Sequence, residues 1–289
     1  MNFNTESFFT QQLSNWKTAR MNYESLKNIQ TRRFQVASCR YEIQFNPERV
    51  RSVTAPVEEA EKTEASCFLC EQNRPAEQLK WPFNDQFDIL CNPYPVFSRH
   101  LTIASKVHTP QTITNDMDTL FNLAKALPGF IVFYNGPYCG ASAPEHLHFQ
   151  AGIREEFPLY QDYEGLKNNN SIEEKIFDQT IRYTIWDGVR KFYALESPSI
   201  SELSGYFYQQ KEENVNLLAW YAEGNWILCV FERKKHRPDR FYATGEQQLL
   251  ISPASVEAAG KIITVREEDF KKITPQDIID IFAEVFHLN

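Results

Sequence analysis

Residues 135–152 read Asn-Gly-Pro-Tyr-Cys-Gly-Ala-Ser-Ala-Pro-Glu-His-Leu-His-Phe-Gln-Ala-Gly. His146, His148 and Gln150 fall at one parity, and Leu147, Phe149 and Ala151 at the other. Successive side chains of a strand point to opposite faces, so this spacing puts two imidazoles and an amide on one face and an apolar trio on the core face. Imidazole ordinarily titrates at about 6.5, so at neutral pH it is largely uncharged and can serve as a nucleophile or a metal ligand. The bland alternative is the solvated face of an edge strand, but such faces usually carry Thr, Lys and Glu. The loop before the strand is rich in glycine and small residues, which lets backbone N–H groups approach a ligand as phosphate-cradling loops do.

A second chemical signal is Cys67-Phe68-Leu69-Cys70. Two cysteines so spaced form a knuckle whose thiolates can share one zinc. A redox dithiol is the rival, although it wants a following helix, and Asn73-Arg74-Pro75 breaks any helix quickly. Two unrelated buried thiols are the third reading. His108 ends a strand and is either a ligand or a surface side chain, and His100 reads as structural. His236 reaches a binding site or is merely exposed, while His287 reads as solvated.

The elements that must position these groups follow from periodicity. Residues 5–28 carry Phe8, Phe9, Leu13, Trp16, Ala19, Tyr23 and Leu26 at three- and four-residue spacings, which predicts an amphipathic helix with room for one break. Phe34 to Phe45 predicts a strand pair or one long bent strand, and the acidic run from Thr54 to Glu64 an exposed or disordered link. Phe87–Cys91 and Val96–Val107 predict a hairpin, Thr114–Leu127 a helix with Thr114 as its cap, and Phe130–Tyr134 a buried strand. Lys167-Asn168-Asn169-Asn170 reads as a polar turn. Hairpins are expected around Asp187-Gly188 and around Glu223-Gly224-Asn225, with a helix over 199–210 between them. Thr274-Pro275 opens a last helix with a cap and a proline at its first position.

At 289 residues, 42% hydrophobic and 14% aromatic, the chain can bury one large core or two of ordinary size. A formal charge of −8 argues against a protein that coats nucleic acid, so any phosphate site must be built locally. No basic stretch followed by an apolar one opens the chain, and the longest apolar runs are too short to span a bilayer. A cytoplasmic protein with no membrane partner is therefore expected, its six cysteines reduced or metal-bound.

Gly140-Ala141-Ser142, Ala143-Pro144 and His146-Leu147-His148-Phe149-Gln150 together resemble the active-site strand of the histidine-triad superfamily. The glutamine in the third place resembles its nucleotidyltransferase and phosphorylase branch, whose members include galactose-1-phosphate uridylyltransferases, diadenosine tetraphosphate phosphorylases and GDP-L-galactose phosphorylases. The hairpin from Asn92-Pro93-Tyr94-Pro95 to His108 is similar to the hairpin of that superfamily, and Ile251 to Phe270 is similar to the C-terminal part of GDP-L-galactose phosphorylases.

The resemblance implies an α+β fold, an antiparallel sheet with helices, built from two tandem units of histidine-triad type. Residues 1–160 would be the catalytic unit and 161–289 a degenerate copy. In that copy Lys234-Lys235-His236 would match Lys106-Val107-His108, with the paired histidines and the intervening helix missing. It further implies that His148 is the nucleophile and Gln150 a donor to the phosphate, with Ser142 beside them. Asn135, Gly140, Ala141 and His236 would bind substrate. Cys67, Cys70, His108 and His146 would hold one structural zinc.

The activity so implied is nucleotidyl transfer or phosphorolysis through a covalent nucleotidyl-histidine. The donor would be a nucleoside-diphosphate sugar or a dinucleoside polyphosphate, and the acceptor phosphate or a sugar phosphate. A nucleotide hydrolase, or a zinc-stabilised nucleotide-binding protein without turnover, are the alternatives, and a homodimer stays open as a partner.

Overall fold

The computed structural model describes residues 3–54, 66–210 and 214–287. The acidic link read over 54–64 lies, past Thr54, outside the described residues. The strands come in chain order as β1 (Thr31–Val36), β2 (Cys39–Phe45), β3 (Lys80–Pro82), β4 (Phe87–Cys91), β5 (His100–Ser105), β6 (Phe130–Asn135) and β7 (His148–Ile153). Then follow β8 (Ser171–Lys175), β9 (Ile181–Trp186), β10 (Lys191–Ser197), β11 (Val215–Ala222), β12 (Asn225–Glu232) and β13 (Lys261–Thr264).

Ten of these strands form one antiparallel sheet in the order β3-β4-β5-β7-β6-β11-β12-β10-β9-β8. Read inward from either edge, each half takes three strands in succession, then its last strand, then its fourth at the centre. The fold is thus two tandem units joined edge to edge through the β6–β11 pair, with Asn135 opposite Asn216.

The correspondence differs from the one expected. A helix is not missing from the second unit: Ile200–Gln210 stands before β11 where Met117–Ala126 stands before β6. The counterpart of β7 is β12, so Lys234-Lys235-His236 follows the unit's last strand and does not match Lys106-Val107-His108. β13 leaves the large sheet altogether and pairs in parallel with β2, on the edge opposite β1. What the second unit lacks is the loop. Residues 136–147 connect β6 to β7, whereas Glu223 and Gly224 alone connect β11 to β12, both at positive φ as a tight hairpin turn requires.

Each face of the large sheet is covered by its own apolar layer. Leu101, Ile103, Val132, Phe149 and Ala151 pack with Leu120, Phe121 and Leu123 of one helix and Leu203 and Phe207 of its counterpart. On the opposite face Ile131, Phe133 and Leu218 pack with Tyr41 and Ile43 of the three-stranded sheet and with Leu159, Tyr163 and Leu166. Those last three belong to a helix, Pro158–Asn170, so the polar turn expected at Lys167–Asn170 is its final turn instead. The N-terminal helix breaks once, at Trp16, into Thr5–Asn15 and Lys17–Leu26. The helix expected from Thr114 starts at Met117 behind Asp116, without a side-chain cap. The last helix, Pro275–Val285, has the expected cap: Thr274 and Asp277 bond reciprocally. No helix among the described residues is long and apolar enough to cross a membrane.

Candidate functional site

β7 lies between β5 and β6, with His148 opposite Ala104 and Gln150 opposite Thr102 and Phe133. Leu147, Phe149 and Ala151 enter the apolar core, as the alternation predicts. His148 and Gln150 take the other face and line a cavity of about 790 Å³, a volume that suits a nucleotide-sized ligand. His146 departs from the expected row. It lies in the turn before the strand, its N–H bonded to the Ala143 carbonyl, and it does not line the cavity.

His148 is held from several sides. Its Nδ1–H donates to the His146 carbonyl at 2.8 Å, which leaves the lone pair on Nε2. Burial, opposed by that bond, pushes the imidazole down to about 4, so at neutral pH the ring is uncharged. Gln111, a fully buried residue that no motif marks, clamps the start of the strand. Its Oε1 accepts from His148 N–H at 2.8 Å, and its amide donates to the carbonyls of His148 and Asn135 at 2.9 and 3.0 Å.

Gln150 is oriented by His100. The carbonyl oxygen of Gln150 meets His100 Nε2 at 3.0 Å while His100 Nδ1 faces the Val96 N–H, so Nε2 carries the proton and the amide N–H groups of Gln150 remain as donors at the cavity. Burial, with Arg49 nearby, pushes His100 down to about 3, which keeps it in that neutral form.

The loop of residues 136–147 is built by the second unit. Asn216 donates to Asn135 Oδ1 and to the Cys139 carbonyl, both at 2.8 Å. Ser255 N–H donates to Asn135 Oδ1 at 2.9 Å. Arg233, buried and in no ion pair among the described residues, donates to the carbonyls of Cys139, Pro253 and His236 at 3.3, 2.9 and 2.9 Å. Burial lowers its guanidinium to about 10. Gly140 is required: its φ is +95°, and an added Cβ would come within 2.6 Å of Ala254 Cβ.

Of the expected site residues, Asn135, Gly140, Ala141, Ser142, His148, Gln150 and His236 all line the one cavity. Asn135 also accepts the hydrogen bonds of Asn216 and Ser255 at the base of the loop. Pattern reading missed Gln111, Asn216, Arg233 and Ser255, which shape the site through buried hydrogen bonds, and Trp16 and Thr18, which the break in the N-terminal helix brings to the cavity wall. Phe68, Leu69 and Tyr94 add apolar surface there, and Arg49, Arg237 and Ser252 add polar groups.

Beside this cavity the ligand atoms of Cys67, Cys70, His108 and His146 lie within 4.8 Å of one another. Cys67 Sγ is 3.3 Å and Cys70 Sγ 3.5 Å from His146 Nδ1, and Cys70 Sγ is 3.3 Å from His108 Nδ1. A tetrahedral zinc with ordinary bond lengths sets such sulfur–nitrogen edges at about 3.5 Å, so the four residues fit one ion. His146 Nε2–H donates to the Ser105 carbonyl at 2.8 Å, which turns the Nδ1 lone pair toward the sulfurs, as outer partners of metal-binding histidines do. All six cysteines are buried and none is in a disulfide.

No curated protein matches the chain. Among solved structures it is similar to yeast Ap4A phosphorylase Apa2, with a TM-score of 0.61 and 17% identity over 93% of this chain and 96% of that one. The same yeast enzyme in complex with Ap4A gives 0.60 and 17% over 93% and 96%. Its complex with AMP gives 0.58 and 16% over 95% and 96%. At such identities the likeness establishes the fold, which is that of the yeast Ap4A phosphorylase. A family model described as a domain of unknown function matches residues 8–153, a span holding the cysteine knuckle, the loop and the histidine strand, and the chain belongs to that family, DUF4922.

Proposed function

We propose that the protein is a nucleotidyltransferase of the phosphorylase type that works through a covalent nucleotidyl group on His148. The observation that carries this is the state of His148: buried, neutral, its Nδ1–H spent on the His146 carbonyl and its Nε2 lone pair left over, on the wall of a cavity that Gln150 also lines. Such a nucleophile is ready at neutral pH and pre-aimed. The shared fold with a phosphorylase crystallised with AMP and with Ap4A supports a nucleotide as the ligand.

In this reading Nε2 attacks the α-phosphorus of a nucleoside-diphosphate sugar or a dinucleoside polyphosphate. The phosphate ester beyond it departs as an anion and needs no proton, which suits an amide at position 150, since an amide donates hydrogen bonds but does not protonate a leaving group. Gln150, Ser142 and the backbone of Gly140 and Ala141 stabilise the phosphoryl oxygens. Phosphate or a sugar phosphate then takes the nucleotidyl group, and the electron pair returns to Nε2. Cys67, Cys70, His108 and His146 would hold a structural zinc, closed to substrate, that secures the turn carrying His146.

Incubation with a panel of α-labelled nucleotide donors tests the reading. Acid-labile label should appear on the wild-type protein and be absent from His148→Ala. Label retained by that variant, or none on the wild type with any donor, sinks it.

A further inference from the structure

We propose that His236 and Arg237, on the segment after β12, form the subsite for the phosphate that accepts the nucleotidyl group, with inorganic phosphate as its ligand. The inference rests on the nucleotidyltransferase reading of the cavity and adds to it the acceptor and the residues that hold it.

Both side chains line the same cavity as His148, Gln150 and Ser142. Nδ1 of His236 is buried and has no hydrogen-bond partner among the described residues. Native structures rarely leave such an atom unpaired unless a ligand or water supplies the partner. Arg237 is held in one pose beside it: Nε donates to Ser252 Oγ at 3.0 Å, a terminal nitrogen donates to the Val53 carbonyl at 2.8 Å, and the guanidinium stacks on Phe241 at 4.2 Å. A guanidinium fixed in this way suits a tetrahedral oxyanion. Burial, with Arg237 and Arg233 close by, pushes the His236 ring down to about 4, so it stands neutral. Phosphate near neutrality carries both ionised oxygens and a P–OH group, so it can complement Nδ1 whether that atom donates or accepts.

The Arg233 network fixes the segment against the loop. Arg233 bonds the His236 carbonyl and the Cys139 carbonyl together. In the transfer step an ionised oxygen of the bound phosphate forms the new P–O bond as the P–N bond to His148 breaks, and its electron pair returns to Nε2. The product is a nucleoside diphosphate, and no proton has to be removed from the attacking oxygen.

The test is calorimetric titration of inorganic phosphate into the full chain, with thermal melts to verify folding. Wild type and His148→Ala should each bind one phosphate. His236→Phe should weaken binding by about tenfold or more, the value of a hydrogen bond to a charged group. His236→Asn, whose amide stands where Nδ1 does, should restore most of it, an outcome that a role in packing alone does not predict. Equal binding by all variants, no phosphate binding by the wild type, or binding of a sugar phosphate only, overturns the assignment. Label on His148 without phosphate binding at His236 overturns this inference alone, whereas phosphate binding through His236 without any label overturns the transferase reading.

Discussion

Acid should destabilise this protein through His148, the proposed nucleophile, and the effect can be isolated with one substitution. His148 in the folded chain titrates at about 4, below the ordinary value of about 6.5 for an accessible imidazole. The unfolded chain therefore takes up this proton first as pH falls. The contribution of the neutral ring is fully present above about pH 6.5, declines as pH drops, and is lost by about pH 4. One proton is worth about 1.4 kcal/mol per pH unit, so the window holds about 3 kcal/mol. Other groups titrate in the same range. His100 and His236 act in the same direction, while Glu257, raised to about 7 by burial, gains stability on protonation and opposes them. The difference between two proteins cancels these terms. In His148→Asn the amide N–H takes the place of Nδ1–H toward the His146 carbonyl and nothing titrates. Urea unfolding followed by circular dichroism at pH 7, 6, 5 and 4.5 should show the wild type losing about 1.2 kcal/mol more than the variant between pH 6 and 5. Parallel profiles would mean that the His148 ring is not held neutral by burial, and the argument for a ready nucleophile would fall with it.

Gln111→Ala removes three buried hydrogen bonds around His148 and should cost about 3 kcal/mol, seen as a fall in Tm of roughly 6–10 °C, and a melt within 2 °C of wild type refutes the clamp. Gly140→Ala has to relieve a contact of 2.6 Å at φ +95° and should deform the loop, lowering nucleotide affinity more than overall stability; unchanged affinity in calorimetry would show that the loop tolerates a side chain. Freshly purified protein should contain about one zinc per chain, and Cys67→Ser or Cys70→Ser should lower both metal content and Tm; full stability in a metal-free preparation refutes the centre. Turnover of a nucleoside-diphosphate or dinucleoside polyphosphate donor should require phosphate or a sugar phosphate, and rapid release of a nucleoside monophosphate without either would make water the acceptor.

The sequence carried the short-range part of this molecule. Alternation along residues 146–152 placed His148 and Gln150 on one face because a pleated strand leaves no other choice, and Glu223-Gly224 marked a hairpin because its turn needs positive φ. Long-range pairing was not legible. Lys234 to His236 resembles Lys106 to His108 by composition, yet the sheet pairs β12 with β10 and β11, and strand order depends on which surfaces bury each other. Asn168 to Asn170 favour a turn by local preference, but Leu159, Tyr163 and Leu166 gain burial when the helix runs on, and that gain outweighs the propensity cost of a few tenths of a kcal/mol per residue.

The same division explains why the groups that shape the site went unseen. Gln111 and Arg233 act through buried hydrogen bonds to backbone carbonyls, and a carbonyl has no residue type, so no pattern of letters records the partner. Their placement also bears on function. The second unit, whose β11 and β12 are joined by two residues only, supplies Asn216, Arg233 and Ser255, which bond to the loop of residues 136–147 or to Asn135 at its base. Here it braces the loop of the first unit and places His236 and Arg237 on the cavity wall, so both units build the cavity.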